Sequence, residues 1–142
     1  MGGLLVNRTL ALLLILGLTA CGGDDATSPS DLPPLVVLDL EVGTGPVAEV
    51  GDSVAVHYVG RLTDGTQFDS SYDSPSGEPL RFVIGAGRVV SGFEQGVEGM
   101  RVGGRRRLTI PPHLGYGNQQ AGPIPPNSTL TFDVELVEIV GR

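Results

Sequence analysis

The feature that most constrains this chain is a strict two-residue alternation in two long stretches. From Ser53 to Leu62, Val54, Val56 and Tyr58 fall on one face and Ala55, His57 and Val59 on the other. From Ser128 to Val140, Leu130, Phe132, Val134 and Leu136 alternate with Thr131, Asp133 and Glu135. Side chains of a strand project to opposite faces, so such stretches predict a sheet with one covered face and one wet face. Leu35–Val42, Thr66–Ser70, Arg81–Ile84 and Arg105–Ile110 read as further strands. Thr63-Asp64-Gly65 is a turn signal that folds the Ser53–Leu62 strand back as a hairpin. Only Val89–Met100 has helical spacing, with Val89, Phe93, Val97 and Met100 on one side. Ser91 is placed to cap that helix and Gly103-Gly104 to stop it. One helix is the available cover for the apolar face, so the expected class is α+β: an antiparallel sheet with one short α-helix.

The N-terminus has a different character. Asn7-Arg8 precedes an apolar run, Leu10–Leu18, well short of the roughly 20 residues a membrane span needs. Small residues then lead to Cys21, the layout of a secretory signal peptide. Leu18-Thr19-Ala20-Cys21 resembles the bacterial lipobox. That resemblance implies cleavage before Cys21, lipidation of Cys21 and attachment to a membrane. Gly22 follows rather than Asp, which by the same resemblance favours the outer membrane over the inner one. Cys21 is the only cysteine, so no intrachain disulfide is possible. Gly22–Pro34 reads GGDDATSPSDLPP, a composition that cannot bury a core and predicts a flexible tether. The expected organisation is a signal peptide over 1–20, a tether over 21–34 and one folded domain over 35–142. The protein is expected to be exported and lipid-anchored, facing the periplasm or exterior. The tether has no periodic apolar face, so a monomer is expected.

Charge narrows the partners. The nine basic residues are all Arg, against 16 acidic ones, for a net charge of −7. That balance argues against a nucleic-acid backbone as partner and reads as solubility. Arg105-Arg106-Arg107 lies in a strand, so its charges alternate between faces and read as solvated surface. His57 and His113 stand apart with no third ligand in view, which reads as structural histidine and not a metal site. Gly85 and Gly87 lack the strand, turn and Lys-Ser/Thr context of a phosphate loop. No cofactor and no metal are expected.

Function enters through five blocks. Val56-His57-Tyr58-Val59-Gly60 is followed by Leu62-Thr63-Asp64-Gly65-Thr66-Gln67-Phe68-Asp69-Ser70-Ser71. Val90-Ser91-Gly92-Phe93-Glu94-Gln95-Gly96-Val97 and Leu114-Gly115-Tyr116-Gly117 come later, then Ile124-Pro125-Pro126-Asn127-Ser128-Thr129-Leu130 and Phe132-Asp133-Val134-Glu135-Leu136. In this order and spacing the series closely resembles the FKBP-type peptidyl-prolyl cis/trans isomerases, over about Leu35 to Val140. The resemblance implies an antiparallel half-barrel wrapped around the helix, with a shallow apolar pocket between them. Carried over residue by residue, it implies Tyr58, Phe68, Asp69, Tyr116 and Phe132 as the catalytic set. It implies Val89, Val90, Phe93, Leu80 and Ile124 as the substrate-binding set. Phe93 stands where many members have Trp, Gln120 lies near a position often held by His, and no Arg is evident to pair with Asp69. The Tyr72–Pro79 loop is longer than in small members.

Each aromatic taken singly reads as core packing. The joint pattern implies instead an enzyme that isomerises X-Pro bonds of exported polypeptides without cofactor or covalent step. Macrolides that inhibit the family are expected to bind. The alternative is an FKBP-like module that keeps the fold and uses the pocket to hold a protein partner at the cell envelope.

Overall fold

The computed structural model describes residues 31–141. The expected signal peptide, Cys21 and the tether as far as residue 30 lie outside the described residues. The two alternating stretches become the longest strands, β2 (Ser53–Leu62) and β6 (Leu130–Ile139), paired antiparallel from Leu62↔Leu130 to Val54↔Ile139. Around them lie β1 (Val36–Glu41), β3 (Gln67–Ser70), β4 (Leu80–Val83) and β5 (Arg105–Ile110). The strand order is β1-β5-β6-β2-β3, with β4 also on β2. β6 starts later than its alternation alone suggests. Asn127 takes a left-handed φ of 58° and the Ser128 hydroxyl donates to the Pro125 carbonyl at 2.6 Å, so the turn runs on to the edge of the strand.

The outer edge of β2 is shared by two short strands. β4 pairs with Ser53–Val56 and β3 with Val59–Arg61. Between them the chain swings away through a single 3₁₀ turn at Ser71–Asp73. The ladder is bridged there by a side chain: the Tyr58 N–H donates to Ser71 Oγ at 3.0 Å, and His57 Nδ1 lies 3.0 Å from the same oxygen. This gap is what opens the sheet edge beside Tyr58.

Cross-strand partners share a face, so Leu108, Phe132 and Gly60 form one inward row and Ile110, Leu130 and Leu62 the next. The helix, α1 (Ser91–Val97), covers these rows. It sits close because Gly92 and Gly96 face the sheet: a Cβ at either would run into Ile110 or Leu108. Each glycine weakens the helix by up to about 1 kcal/mol, and the tight contact with buried Leu108 and Ile110 offsets it.

The helix is shorter than its sequence pattern. Val90, in extended conformation, is the N-cap position, and Ser91 is the first helical residue with its hydroxyl 3.5 Å from the Leu114 carbonyl. The expected Ser91 cap is therefore absent. Nor do Gly103 and Gly104 end the helix. The segment 45–48 captures the backbone of 99–102 through Ala48 N–H to Met100 O at 2.8 Å and Gly99 N–H to Ala48 O at 2.8 Å. Gly99 turns the chain into that pairing with φ of 85°.

The arginine run alternates as expected, yet two of its members are not free surface charges. Arg106 points inward, donating to the Gly96 carbonyl at 2.9 Å and the Glu98 carbonyl at 3.2 Å and pairing with Asp39 at 2.6 Å. A cation there satisfies carbonyls at the helix C-terminus and complements its dipole. Arg107 points outward and holds both oxygens of Asp133, at 2.6 and 3.0 Å.

Candidate active site

Four elements converge at the N-terminal end of α1. β2 supplies Tyr58, β3 supplies Phe68 and Asp69, β6 supplies Phe132 and the helix supplies Phe93. The four rings meet edge to face. Phe93 and Phe132 have centroids 5.1 Å apart, Phe68 and Phe132 5.5 Å, Tyr58 and Phe93 5.7 Å, and Tyr58 and Phe132 5.9 Å. This geometry sets the positive edge of one ring against the negative face of the next. Phe93 is buried and backed by Phe82 at 5.7 Å, so it forms a floor and not a movable flap.

Gly60 makes the cage possible. A Cβ there would lie 2.6 Å from the Phe68 ring and 2.9 Å from the Phe132 ring. Any other residue would push those walls apart. Sequence reasoning gave Gly60 no role, although it follows Val59 in the first motif block.

The cage and its rim enclose a cavity of about 130 Å³. Nine of the ten residues carried over from the family resemblance line it: Tyr58, Phe68, Asp69, Leu80, Val89, Val90, Phe93, Tyr116 and Phe132. The tenth, Ile124, is not among them. Its side chain is buried in the core and its backbone pairs with Ala121, because the 121–124 turn folds inward. Gln120 does not line the cavity either. Arg88 does, and sequence reasoning missed it. Its position directly before Val89-Val90 was the available signal.

The polar groups are few and directional. The Tyr58 hydroxyl donates to Asp69 Oδ2 at 2.7 Å, and the Ser70 N–H donates to Asp69 Oδ1 at 2.8 Å. Burial first, and the Asp69 carboxylate second, push the Tyr58 hydroxyl well above the usual phenol range. Tyr58 therefore stays a neutral donor across physiological pH. No arginine lies within ion-pair distance of Asp69 among the described residues. Two donors on the cavity rim have no acceptor among the described residues: the Val90 N–H, and the hydroxyl of Tyr116, which is 44% exposed. An apolar box with two open donors can grip a small apolar ring and bond the carbonyls beside it. Among the described residues no trio of His, Cys, Asp or Glu is arranged to hold a metal ion.

Comparison with known proteins adds the following. The family model for FKBP-type peptidyl-prolyl cis-trans isomerase matches residues 45–137. The FK506-binding protein of Streptomyces anulatus is 49% identical over 116 residues, covering 78% of this chain and 92% of that protein. The FK506-binding protein 4 of Mycosarcoma maydis is 51% identical over 105 residues, 74% of this chain and only 27% of the relative. The chain thus spans about a quarter of one of these proteins and nearly all of the other. Among solved structures, AtFKBP13 superposes with a TM-score of 0.70 at 43% identity, covering 80% of this chain and 96% of that one.

Proposed function

The chain belongs to the FKBP-type peptidyl-prolyl cis-trans isomerases, and from that premise we propose that it accelerates rotation about X-Pro bonds in exported proteins. The observation that carries this reading is the four-ring cage with its two open rim donors. Resonance gives the amide a rotation barrier of about 18–20 kcal/mol, so an unaided X-Pro bond takes roughly tens to hundreds of seconds to turn. Nothing has to be broken, and no nucleophile is required. The twisted amide of the transition state carries less charge separation than the planar ground state. A dry apolar box therefore disfavours the planar form relative to the twisted one.

In this reading Phe68, Phe93 and Phe132 clasp the proline ring. The Val90 N–H bonds one substrate carbonyl and the Tyr116 hydroxyl the other. Tyr58 holds Asp69 at the cavity wall, where the carboxylate sets the local field at the rotating amide. Leu80 and Val89 favour an apolar residue before proline. Binding of the macrolide for which the relatives are named belongs to the same reading, since such a ligand would occupy the same box.

The cis/trans isomerisation rate of a panel of X-Pro peptides, with and without the full-length protein, tests this. Acceleration that FK506 competes away is expected. A protein that binds FK506 but leaves every X-Pro rate at its uncatalysed value would be a binding module instead.

The same proposal extends to location and assembly. Cys21 carries lipid and holds the domain at a membrane, the outer one in a two-membrane cell, on the end of the 21–34 tether. Several acyl chains on one residue anchor stably where a single chain would not. Partition of the wild type into detergent and of Cys21→Ser into the aqueous phase is expected; an aqueous wild type removes the anchor. The domain acts as a monomer. β1 is an exposed edge, but Asp39 and Glu41 and the register shift between them blunt it against pairing with a second copy.

A further inference from the structure

Tyr58 is held at both ends by one short stretch of chain. Its hydroxyl donates to Asp69 at 2.7 Å, and its backbone N–H donates to the Ser71 hydroxyl at 3.0 Å. The main chain between these two grips is fixed in turn. The Ser70 N–H donates to Asp69 Oδ1 at 2.8 Å, and the Tyr72 N–H to Ser70 Oγ at 3.2 Å. The Ser71 hydroxyl stands where no strand pairs with β2, since β4 reaches only to Val56 and the β3 pairing begins at Val59.

A hydroxyl has one proton to give, and here its destination matters. Ser71 is buried and its oxygen already accepts from Tyr58. Two acceptors are in reach, the Tyr58 carbonyl at 3.4 Å and His57 Nδ1 at 3.0 Å. The carbonyl lies beyond a good O–H···O distance. The hydroxyl proton therefore goes to Nδ1, and the network assigns the imidazole its own proton on Nε2. Tyr72 keeps the ring aimed, stacking on it with centroids 4.4 Å apart and planes within 12°. His57 and Tyr58 are neighbours in a strand, so their side chains leave opposite faces of the sheet. His57 lies outside the proline cavity, against Tyr72, Arg61, Arg105 and Glu135. Two hydrogen bonds through Ser71 thus connect a residue on the outer face to the ring and carboxylate inside the pocket.

We infer that His57 and Ser71 are positioning residues for the isomerase reaction. His57 orients the Ser71 hydroxyl, Ser71 fixes the Tyr58 main chain, and Tyr58 then holds Asp69 at the rotating amide. This rests on the isomerase reading of the pocket. Neither His57 nor Ser71 lines the cavity, and Phe68, Phe93 and Phe132 supply the grip on the proline ring. Loss of the relay should therefore appear in kcat and leave KM in place.

The test compares two variants of the full-length protein. His57→Phe keeps a ring to stack on Tyr72 but has no acceptor, whereas the Oδ1 of His57→Asn takes the place of Nδ1. Rates are expressed per site titrated with FK506, so that a loss of folded protein is not read as a loss of catalysis. His57→Phe should lower kcat by about fivefold at an unchanged KM, and His57→Asn should recover most of it. Ser71→Ala should fall at least as far and Ser71→Thr, which keeps the hydroxyl, should recover; if Ser71→Ala does not fold, the His57 pair decides alone. The ¹³C signals of Tyr58 Cζ and Asp69 Cγ should move in His57→Phe and return in His57→Asn. A wild-type kcat in His57→Phe overturns the relay, as do equal losses in the Phe and Asn variants. If the wild type accelerates no peptide, the isomerase reading fails, and the two ¹³C signals still decide the relay: signals unmoved by His57→Phe overturn it.

Discussion

The two ends of the helix α1 are built on opposite principles. At its C-terminal end every feature closes. Gly96 lets the helix settle on Leu108, Val97 is fully buried, the 45–48 segment takes up the following backbone, and Arg106 holds the Gly96 and Glu98 carbonyls. At its N-terminal end the same helix stays open. Val89 and Val90 are only half-buried, the Val90 N–H has no acceptor among the described residues, and Tyr116 stands exposed across a cavity. Between these ends Phe93 belongs to both, as core on one side and floor on the other. The difference teaches that a small domain can concentrate its stability at one end and leave unmet donors and apolar walls at the other, where a ligand completes them.

Changes at the closed end should cost stability first. Leu108→Ala removes a fully buried side chain beneath Gly96 and should destabilise by about 3 kcal/mol. Urea unfolding would read that loss, while kcat/KM of the protein that remains folded should stay near wild type. A large activity loss without a stability loss would mean the two ends are not separate.

Gly60→Ala strikes the open end. The added Cβ must displace the Phe68 and Phe132 rings, and the expected result is a fall in kcat/KM of about tenfold, or ~1.4 kcal/mol. Overpacking should also cost about 1–3 kcal/mol of stability. Unchanged catalysis would show that the spacing of those walls is not what grips proline.

The smallest effect should come from a site that belongs to neither end. Asp133 lies on the outer face of β6, and its hydrogen bond from Arg107 holds its carboxyl below the usual carboxylate range despite partial burial. A depressed pKa in the folded state means the stabilisation is present above the unfolded value of about 4. It is lost as pH falls through the lower folded value. Asp133→Asn should therefore be less stable than wild type at neutral pH, by about 1 kcal/mol for a partly exposed pair. The gap should close in acid, and catalysis should not change. A gap that persists unchanged at low pH would assign the effect to shape and not to charge.

Much of this division was legible in the chain. Alternation located β2 and β6, because strands encode face and order locally, and the family resemblance supplied nine of the residues around the cavity, seven of them within the motif blocks. What stayed hidden depends on partners distant in sequence. Helical periodicity continues to Met100, but the 45–48 segment competes for that backbone and wins. Arg106 looked like a surface charge until the helix C-terminus was placed against it. Ile124 carries the right motif, and only the inward fold of its turn takes it from the cavity to the core. Arg88 and Gly60 bear on the cavity through where the chain passes, and no residue type announces that.

The central claim is that the open end of the helix performs the chemistry and bears little of the stability. Tyr116→Phe tests it most directly, because it removes one exposed hydroxyl and no packing. The measurement is kcat/KM on an X-Pro peptide panel, wild type beside variant, together with the urea midpoint of each. The account predicts a loss of about three- to tenfold in kcat/KM, as for one hydrogen bond worth ~1 kcal/mol, at an unchanged midpoint. An unchanged kcat/KM, or a fall in midpoint that accounts for the lost activity, would contradict it.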